Sequence, residues 1–507
     1  MRESGVLMHI TSLPGPYGVG TMGKQAYQFV DFLKKAGQSK WQILPLTPTG
    51  FGDSPYQSCS AFAGNPYLID LELLAEAGLI EQAWLDSVSW CRSENRVDFG
   101  ALYTNRQKLL RRAYDRFSDW DELDAFCRQN SSWLPDFALF LTLKDENGGK
   151  PWYQWGRKLK HRDPDALWQA RRVLKDTVRF HCFVQYLFET QWDSLRRYAN
   201  ANGIQIIGDV PIYVPLDAAD VWRDPELFQL NEELEPVAVA GCPPDAFSED
   251  GQLWGNPLYN WQAHKKDGYS WWIRRMQAAA GRYDVIRIDH FRGFESYWSV
   301  PYGDPTARNG KWIAGPGLEF MQALKKALPD TTLIAEDLGV ITPPVKALRD
   351  AAGLPGMKVL QFAFDPEEPS DYLPHNCIQN SVCYTGTHDN MTVSQWLQSL
   401  PEKSRDYAVR YMALTEQEGL AWGVIRSAMS SSSALCMAQM QDYLELGGEA
   451  RMNFPGTQSG DNWTWRADPG FMSEALALRI RSLTGLYDRL GVHKRDDISL
   501  RMEKNKL

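Results

Sequence analysis

Seven short apolar runs, spaced by stretches of helical periodicity, constrain this chain more than any other feature. They are Gly5-Val-Leu-Met-His-Ile10, Lys40-Trp-Gln-Ile-Leu-Pro-Leu46, Ile204-Gln-Ile-Ile-Gly-Asp209, and residues 283–289, 332–336, 357–362 and 382–387. Strands alternating with amphipathic helices build a parallel sheet, here the α/β class. Eight such units close into a (β/α)8 TIM barrel. The eighth strand is expected at Ala450-Arg-Met-Asn-Phe454, followed by a closing helix over about 474–490.

The spacing of the runs is uneven. Between the second and third lie more residues than a crossover needs. A helical subdomain inserted at about 71–171 is therefore expected, before a long helix over 172–201. The segment at about 213–281 is rich in Pro, Gly, Trp and Asp, and is read as a second insertion of irregular loops. Both insertions leave C-terminal strand ends, the face on which barrel enzymes build their sites. The whole chain, 1–507, is read as one catalytic barrel carrying these two additions. Ser430–Ser433 reads as a flexible surface turn.

Composition narrows the classes. A net charge of −9 argues against a nucleic-acid partner, and no apolar stretch approaches the roughly 20 residues of a membrane span. The opening residues lack the apolar core of a signal peptide. Eight cysteines without a CxxC pair read as free thiols in a reducing cytoplasm, and no ligand-spaced Cys/His cluster suggests a metal. Twenty Trp exceed what a core of this size needs. Indole faces stack on apolar partners, the C–H faces of sugars among them, although Trp also fills cores.

Three runs end in carboxylates. In Arg287-Ile-Asp289-His290 the residues at i and i+2 share a strand face, so Arg287 lies beside Asp289. A guanidinium there favours the ionised carboxylate, as a nucleophile requires. The same pair could also be a structural ion pair at the barrel rim. Glu336, in Ile334-Ala-Glu336-Asp337, sits in apolar surroundings that raise a carboxyl pKa, which suits a proton donor. Asp389, after Thr385-Gly-Thr-His388, could grip sugar hydroxyls. Each of these last two could equally cap a helix.

In this order the motifs resemble those of the α-amylase clan of retaining glycosidases, with Asp209-Val-Pro-Ile as the strand-three motif. Two further segments resemble the 4-α-glucanotransferases (amylomaltases) of glycoside hydrolase family 77. These are Asp53-Ser-Pro-Tyr56-Gln-Ser-Cys-Ser-Ala-Phe-Ala-Gly-Asn-Pro-Tyr67 and Gly241-Cys-Pro-Pro-Asp245-Ala-Phe-Ser-Glu-Asp-Gly-Gln-Leu-Trp254-Gly-Asn-Pro. The similarity runs from about residue 5 to 490. It implies Asp289 as nucleophile, Glu336 as general acid/base and Asp389 as transition-state stabiliser. Arg287, Asp209, His290 and His388 then line the subsite of the reacting glucose, with Tyr56 as an aromatic platform and Ser54 among the substrate contacts. Trp254 and Asn462 fall in two facing loops. Cys59 stands where a larger apolar residue is the family habit.

The implied reaction transfers a segment of an α-1,4-glucan to the 4-hydroxyl of glucose or a malto-oligosaccharide, by double displacement through a covalent glucosyl-enzyme. No cofactor is called for, since sugars supply leaving group and acceptor. The absence of the C-terminal β-sandwich of amylases, and of an extra N-terminal domain, shifts the expected substrate towards soluble malto-oligosaccharides. The nearest alternative is an amylase-like retaining hydrolase with the same carboxylates. A glucan-binding pseudoenzyme would have lost one of the three, and a metal-assisted hydrolase would carry more clustered His.

Overall fold

The computed structural model describes residues 2–91, 93–244, 248–457 and 460–493. Eight parallel strands close into a barrel: β1 (Glu3–Leu7), β2 (Lys40–Gln42), β3 (Gln205–Val210), β6 (Val285–Ile288), β9 (Thr332–Ala335), β10 (Gly356–Val359), β11 (Ser381–Tyr384) and β12 (Leu435–Gln439). Around the barrel the order is β1-β12-β11-β10-β9-β6-β3-β2, so the last strand seals against the first.

The two-residue repeat of a strand sorts each run into two faces. One set, Ile207, Val285, Ile334, Met357, Val359, Val382, Tyr384 and Met437, packs together as a small separate core. Its members fill the barrel. The intervening residues, such as Ile206, Ile286, Ala335 and Cys383, join the larger core shared with the surrounding helices. Two residues beyond the apolar layer, the same inward face carries Asp209, Arg287 and Glu336. Desolvated charge opposes folding unless it is paired, and the partners of these groups are described below.

Seven strands fall on the predicted runs, and the eighth does not. Ala450 ends a short 3-10 helix, Gly448–Ala450, and residues 451–454 are irregular loop. The eighth strand is Leu435-Cys-Met-Ala-Gln439, paired with β1 from Glu3↔Leu435 to Leu7↔Gln439. The serine tract before it is not a surface turn throughout: Ser431 and Ser433 are buried. The buried guanidinium of Arg489 donates to the carbonyls of Met429, Ser431, Ser433 and Glu3 at 2.8–3.0 Å, stitching the end of the chain to its start. The closing helix is Glu474–Leu486, capped by Ser473.

Between β2 and β3 the chain is helical, with helices Phe99–Arg116 and Leu134–Glu146 packed towards the long helix Lys175–Ala201. After β3 the expected irregular loops are instead partly ordered. Strands β4 (Ala238–Cys242), β5 (Gln252–Pro257), β7 (Ser296–Pro301) and β8 (Lys311–Ala314) form an antiparallel sheet in the order β5-β4-β7-β8. It stands at the barrel mouth, because β7 follows β6 after one 3-10 turn, Phe291–Phe294. No helix of the described residues is long and apolar enough to cross a membrane.

Candidate active site

Register brings the first two carboxylates together. Arg287 pairs with Ile334 and Ile288 with Ala335, and the Glu336 N–H donates to the Ile288 carbonyl at 3.0 Å. Asp289 and Glu336 are therefore neighbours one residue past the ladder, both on the inward face. His290, directly after Asp289, sits at φ +51°, a left-handed conformation that costs a non-glycine residue energy. This turn aims the His290 N–H at Glu336 Oε2, 2.7 Å away, while the Leu338 N–H reaches Oε1 at 2.9 Å.

Arg287 is the hub of the other side. Its guanidinium donates to Asp289 Oδ1 at 2.9 Å and to Asp209 Oδ2 at 2.6 Å. Asp209 Oδ2 also accepts from the Tyr56 hydroxyl at 2.8 Å. Ser54 shapes the turn that presents Tyr56, its hydroxyl accepting from the Tyr56 N–H at 3.2 Å. The Tyr56 ring stacks on His388 with centroids 5.1 Å apart, and Trp463 closes the group at 5.7 Å from Tyr56 and 5.9 Å from His388. A tyrosine, a histidine and a tryptophan from three loops thus wall one side of the carboxylates.

Asp389 comes from the turn after β11. Asn390 accepts from both the Thr387 N–H and its hydroxyl at 2.8 Å, which shapes this turn. Gly386 lies close under the Gln361 and Gln439 amides, 2.6 and 3.0 Å from where a Cβ would stand. His388 Nε2 lies 3.4 Å from Asp389 Oδ2. The other oxygen, Oδ1, accepts from the Asn453 amide at 2.6 Å, and the Asp389 carbonyl accepts from Arg451 at 2.8 Å. Trp463 is one of the polar-flanked Trp that suit sugar stacking, but the sequence motifs give it no place in the site, and they assign neither Arg451 nor Asn453, read as strand residues, to it. They lie on loops whose approach to Asp389 is purely tertiary, and an Asn or Arg in a loop carries no local signal.

Asp337, beside Glu336, has a different task. It accepts from Arg349 at 2.6 Å and from the Met357 N–H at 2.7 Å, tying β9 to β10. Trp254 reaches the site from β5 and meets His290 edge-on at 4.8 Å. Asn462 lies in the loop after Asn453; its side chain accepts from the Phe454 N–H at 3.0 Å and donates to the Thr457 carbonyl at 3.1 Å, bracing that loop. Asp245, within the second diagnostic segment, lies outside the described residues.

The environment separates the ionisable groups. Burial raises the Glu336 carboxyl to about 7, against the opposing pull of Arg287 and the two backbone N–H groups. Burial also pushes Asp289 up, while Arg287 pulls it down. The Asp289 side chain keeps 28% of its surface open and is bonded to a permanent cation, which favours its ionised form. Burial lowers His290 to about 3 and also lowers His388, so both imidazoles are neutral near pH 7. The site thus sets a carboxylate bonded to a guanidinium beside a carboxyl raised by burial, the pairing that cleavage of a glycosidic bond by a retaining route uses.

Comparison with known proteins gives the same picture. A family model described as 4-alpha-glucanotransferase matches residues 8–472. The 4-alpha-glucanotransferase of Clostridium butyricum is 47% identical over 486 residues, covering 95% of this chain and all of the relative. That of Thermus thermophilus is 47% identical over 502 residues, covering 96% and 99%. Among solved structures, the amylomaltase of Streptococcus agalactiae in complex with acarbose superposes with a TM-score of 0.94 at 42% identity, covering 96% of this chain and 100% of the other.

Proposed function

Because the chain belongs to the 4-alpha-glucanotransferases of glycoside hydrolase family 77 and has their activity, we propose a division of roles among its carboxylates. Asp289 attacks the anomeric carbon of a donor α-1,4-glucan while Glu336 gives its proton to the departing oxygen. The covalent glucosyl-enzyme that results is then attacked by the 4-hydroxyl of an acceptor, glucose or a malto-oligosaccharide, with Glu336 taking that proton back. Asp389 grips hydroxyls of the reacting sugar, with Asp209, Arg287, His290 and His388 around it and Tyr56, positioned by Ser54, as its platform. No cofactor enters either step.

The observation that carries this reading is the asymmetry of two neighbouring strand-end carboxyls. One is held by a guanidinium, the other by burial that raises it to about 7. As neighbours at adjacent strand ends, they divide nucleophile from acid as two-carboxylate glycosidases require.

Transfer over hydrolysis calls for an acceptor sugar in the place of water. Trp254, edge-on to His290, and the loop braced by Asn462 flank that position and support it. We take the segments 71–171 and 213–281 as insertions that deepen this cleft. The cytoplasm suits the chain, because no disulfide is formed among the described cysteines. Nothing in the site's chemistry suits nucleic acid or a membrane as partner.

Incubation with maltotriose tests the assignment. A ladder of longer oligosaccharides together with glucose is expected. Shorter products alone would instead establish the hydrolase.

A further inference from the structure

The turn that carries His388 and Asp389 stands on two feet, and one buried carboxylate holds both. Thr385, just past the end of β11, donates its hydroxyl to Asp442 Oδ2 at 2.6 Å. Across the turn, Val393 opens the helix Val393–Ser399 and donates its N–H to Asp442 Oδ1 at 2.8 Å. Asp442 lies in the short helix Met440–Tyr443, directly after β12. Asp442 and Thr385 are both 0% exposed.

The same stretch reaches both loops that meet at Asp389. Gln439, the last residue of β12, and Gln361 donate to the Met391 carbonyl at 3.4 and 2.8 Å, inside the turn. Gln441 donates to the Ala450 carbonyl at 3.2 Å. Ala450 is the foot of the loop from which Arg451 and Asn453 grip Asp389. Gln439, Gln441 and Asp442 thus anchor the backbone on either side of one catalytic group.

Asp442 is the costly member of the three. A carboxylate taken wholly out of water opposes folding unless its bonds offset the loss. Burial raises this carboxyl to about 6, against the pull of Thr385 and Val393. Its partners are a hydroxyl and backbone N–H groups, with no cation among them. What the charge supplies is geometry. Hydrogen bonds to an ionised acceptor are shorter and about twice as strong as neutral ones, and a single planar group here fixes the two feet relative to each other.

The turn needs that support from outside. The Asn390 bonds to Thr387 shape it, but they do not fix where it stands over the barrel. Asp389 itself is lightly held within the turn, its N–H reaching the Thr387 hydroxyl at 3.4 Å and its side chain 45% exposed.

We propose that Asp442 is a positioning residue for glucan transfer: by holding Thr385 and Val393 it sets the place at which Asp389 meets the reacting sugar. The inference rests on the role given to Asp389 above. It adds a residue that is wholly buried and acts only through another.

A double-mutant cycle between Asp442 and Asp389, read by steady-state kinetics on maltotriose, tests it. Asp442→Ala should lower kcat about 10–100-fold, the cost of a catalytic group displaced by about 1 Å or less, with KM within about twofold. Asp442→Asn, whose amide can still accept from Val393 and donate to Thr385, should recover most of that loss. In an Asp389→Asn background, Asp442→Ala should cost less than about twofold more, because the group it positions is already gone. Thr385→Val frees one foot without opening a cavity and should show the same pattern, which keeps the test decisive if the alanine variant does not fold. A full further loss in the Asp389→Asn background would make Asp442 a structural group and overturn the inference. So would a parent-like kcat in Asp442→Ala and Thr385→Val, or a KM that rises as far as kcat falls. An Asp389→Asn variant as active as the parent would overturn the role of Asp389 first, and the inference with it.

Discussion

Asn453 donates its side-chain amide to Asp389 across 2.6 Å, and its near neighbour Arg451 holds the Asp389 carbonyl at 2.8 Å. One loop thus fixes both the side chain and the backbone of a carboxylate 64 residues earlier in the chain. With Oδ1 so occupied, Oδ2 is left towards His388 and the cavity. Arg451 is steadied in turn by the Phe454 ring, 4.3 Å from its guanidinium carbon.

Replacing Asn453 by Ala should therefore loosen Asp389 without emptying the site. We expect kcat to fall about 10–100-fold, the cost of a slightly misplaced catalytic group, with KM much less affected. Asn453→Asp, which sets a second carboxylate against Asp389, should be worse than Ala. Steady-state kinetics on maltotriose decide it, and an Asp variant as active as the parent would remove Asn453 from this role.

The raised carboxyl of Glu336 gives a pH signature. The group must be protonated for the first step, so kcat/KM should fall as pH rises through about 7. Burial moves both histidines down and away from this window, His290 to about 3. Glu336→Gln should lose at least about 10²-fold on natural glucans, by the usual worth of a general acid. With an α-maltosyl fluoride, whose leaving group needs no proton, the first step should survive and lose its alkaline limb. A limb near 7 that persists in this variant would assign it to another group.

Asp289→Asn should abolish transfer, with a loss of about 10⁴-fold or more, as for other removed nucleophiles. Its fold should be retained, because the amide oxygen can still accept from Arg287. Near-UV circular dichroism matching the parent, together with no covalent intermediate in mass spectrometry of fluoride-treated protein, is the expected pair of results.

Arg287→Ala removes the shared partner of two carboxylates, Asp209 and Asp289, both on the barrel's inward face. Uncompensated buried charge costs about 3–5 kcal/mol. Asp289, already pushed up by burial, then loses the cation that opposes that push. Stability therefore falls as pH rises from the ordinary carboxylate range to the raised folded value, and stays low above it. Denaturant titrations at pH 5 and pH 8 should show the larger deficit at pH 8.

Arg489→Met should destabilise the chain by about 3 kcal/mol or more, because several buried carbonyls lose their donor at once. Thermal unfolding measures it. Activity per folded molecule should be unchanged, since Arg489 lies by the start of the strands and the chemistry by their ends.

The barrel and its carboxylates were legible because strand chemistry is local. Runs such as Val285-Ile-Arg-Ile288 are β-branched, and those that reach the site lead into a charge that a buried strand otherwise avoids. The eighth strand escaped because Leu435-Cys-Met-Ala-Gln439 has no β-branched or aromatic residue and follows serines. It is a strand because β1 and β11 flank it. The alternation in Ala450-Arg-Met-Asn-Phe454 misled for the converse reason: its residues face a site, not a sheet. Likewise, the glycines and prolines of 238–257 hid two strands whose pairing partners lie in β7 and in each other. Which carboxylates are neighbours, and which loop holds Asp389, are properties of distance in space.

The seal between Glu3 and Leu435 has a consequence for biosynthesis. The Glu3–Leu7 strand must wait for a neighbour more than four hundred residues behind it. Nascent chains stalled before residue 435 should carry all three carboxylates and still be inert and readily digested by protease, since a ring with one stave missing leaves two raw sheet edges. Catalytic competence would thus arrive abruptly, once Leu435–Gln439 has been made.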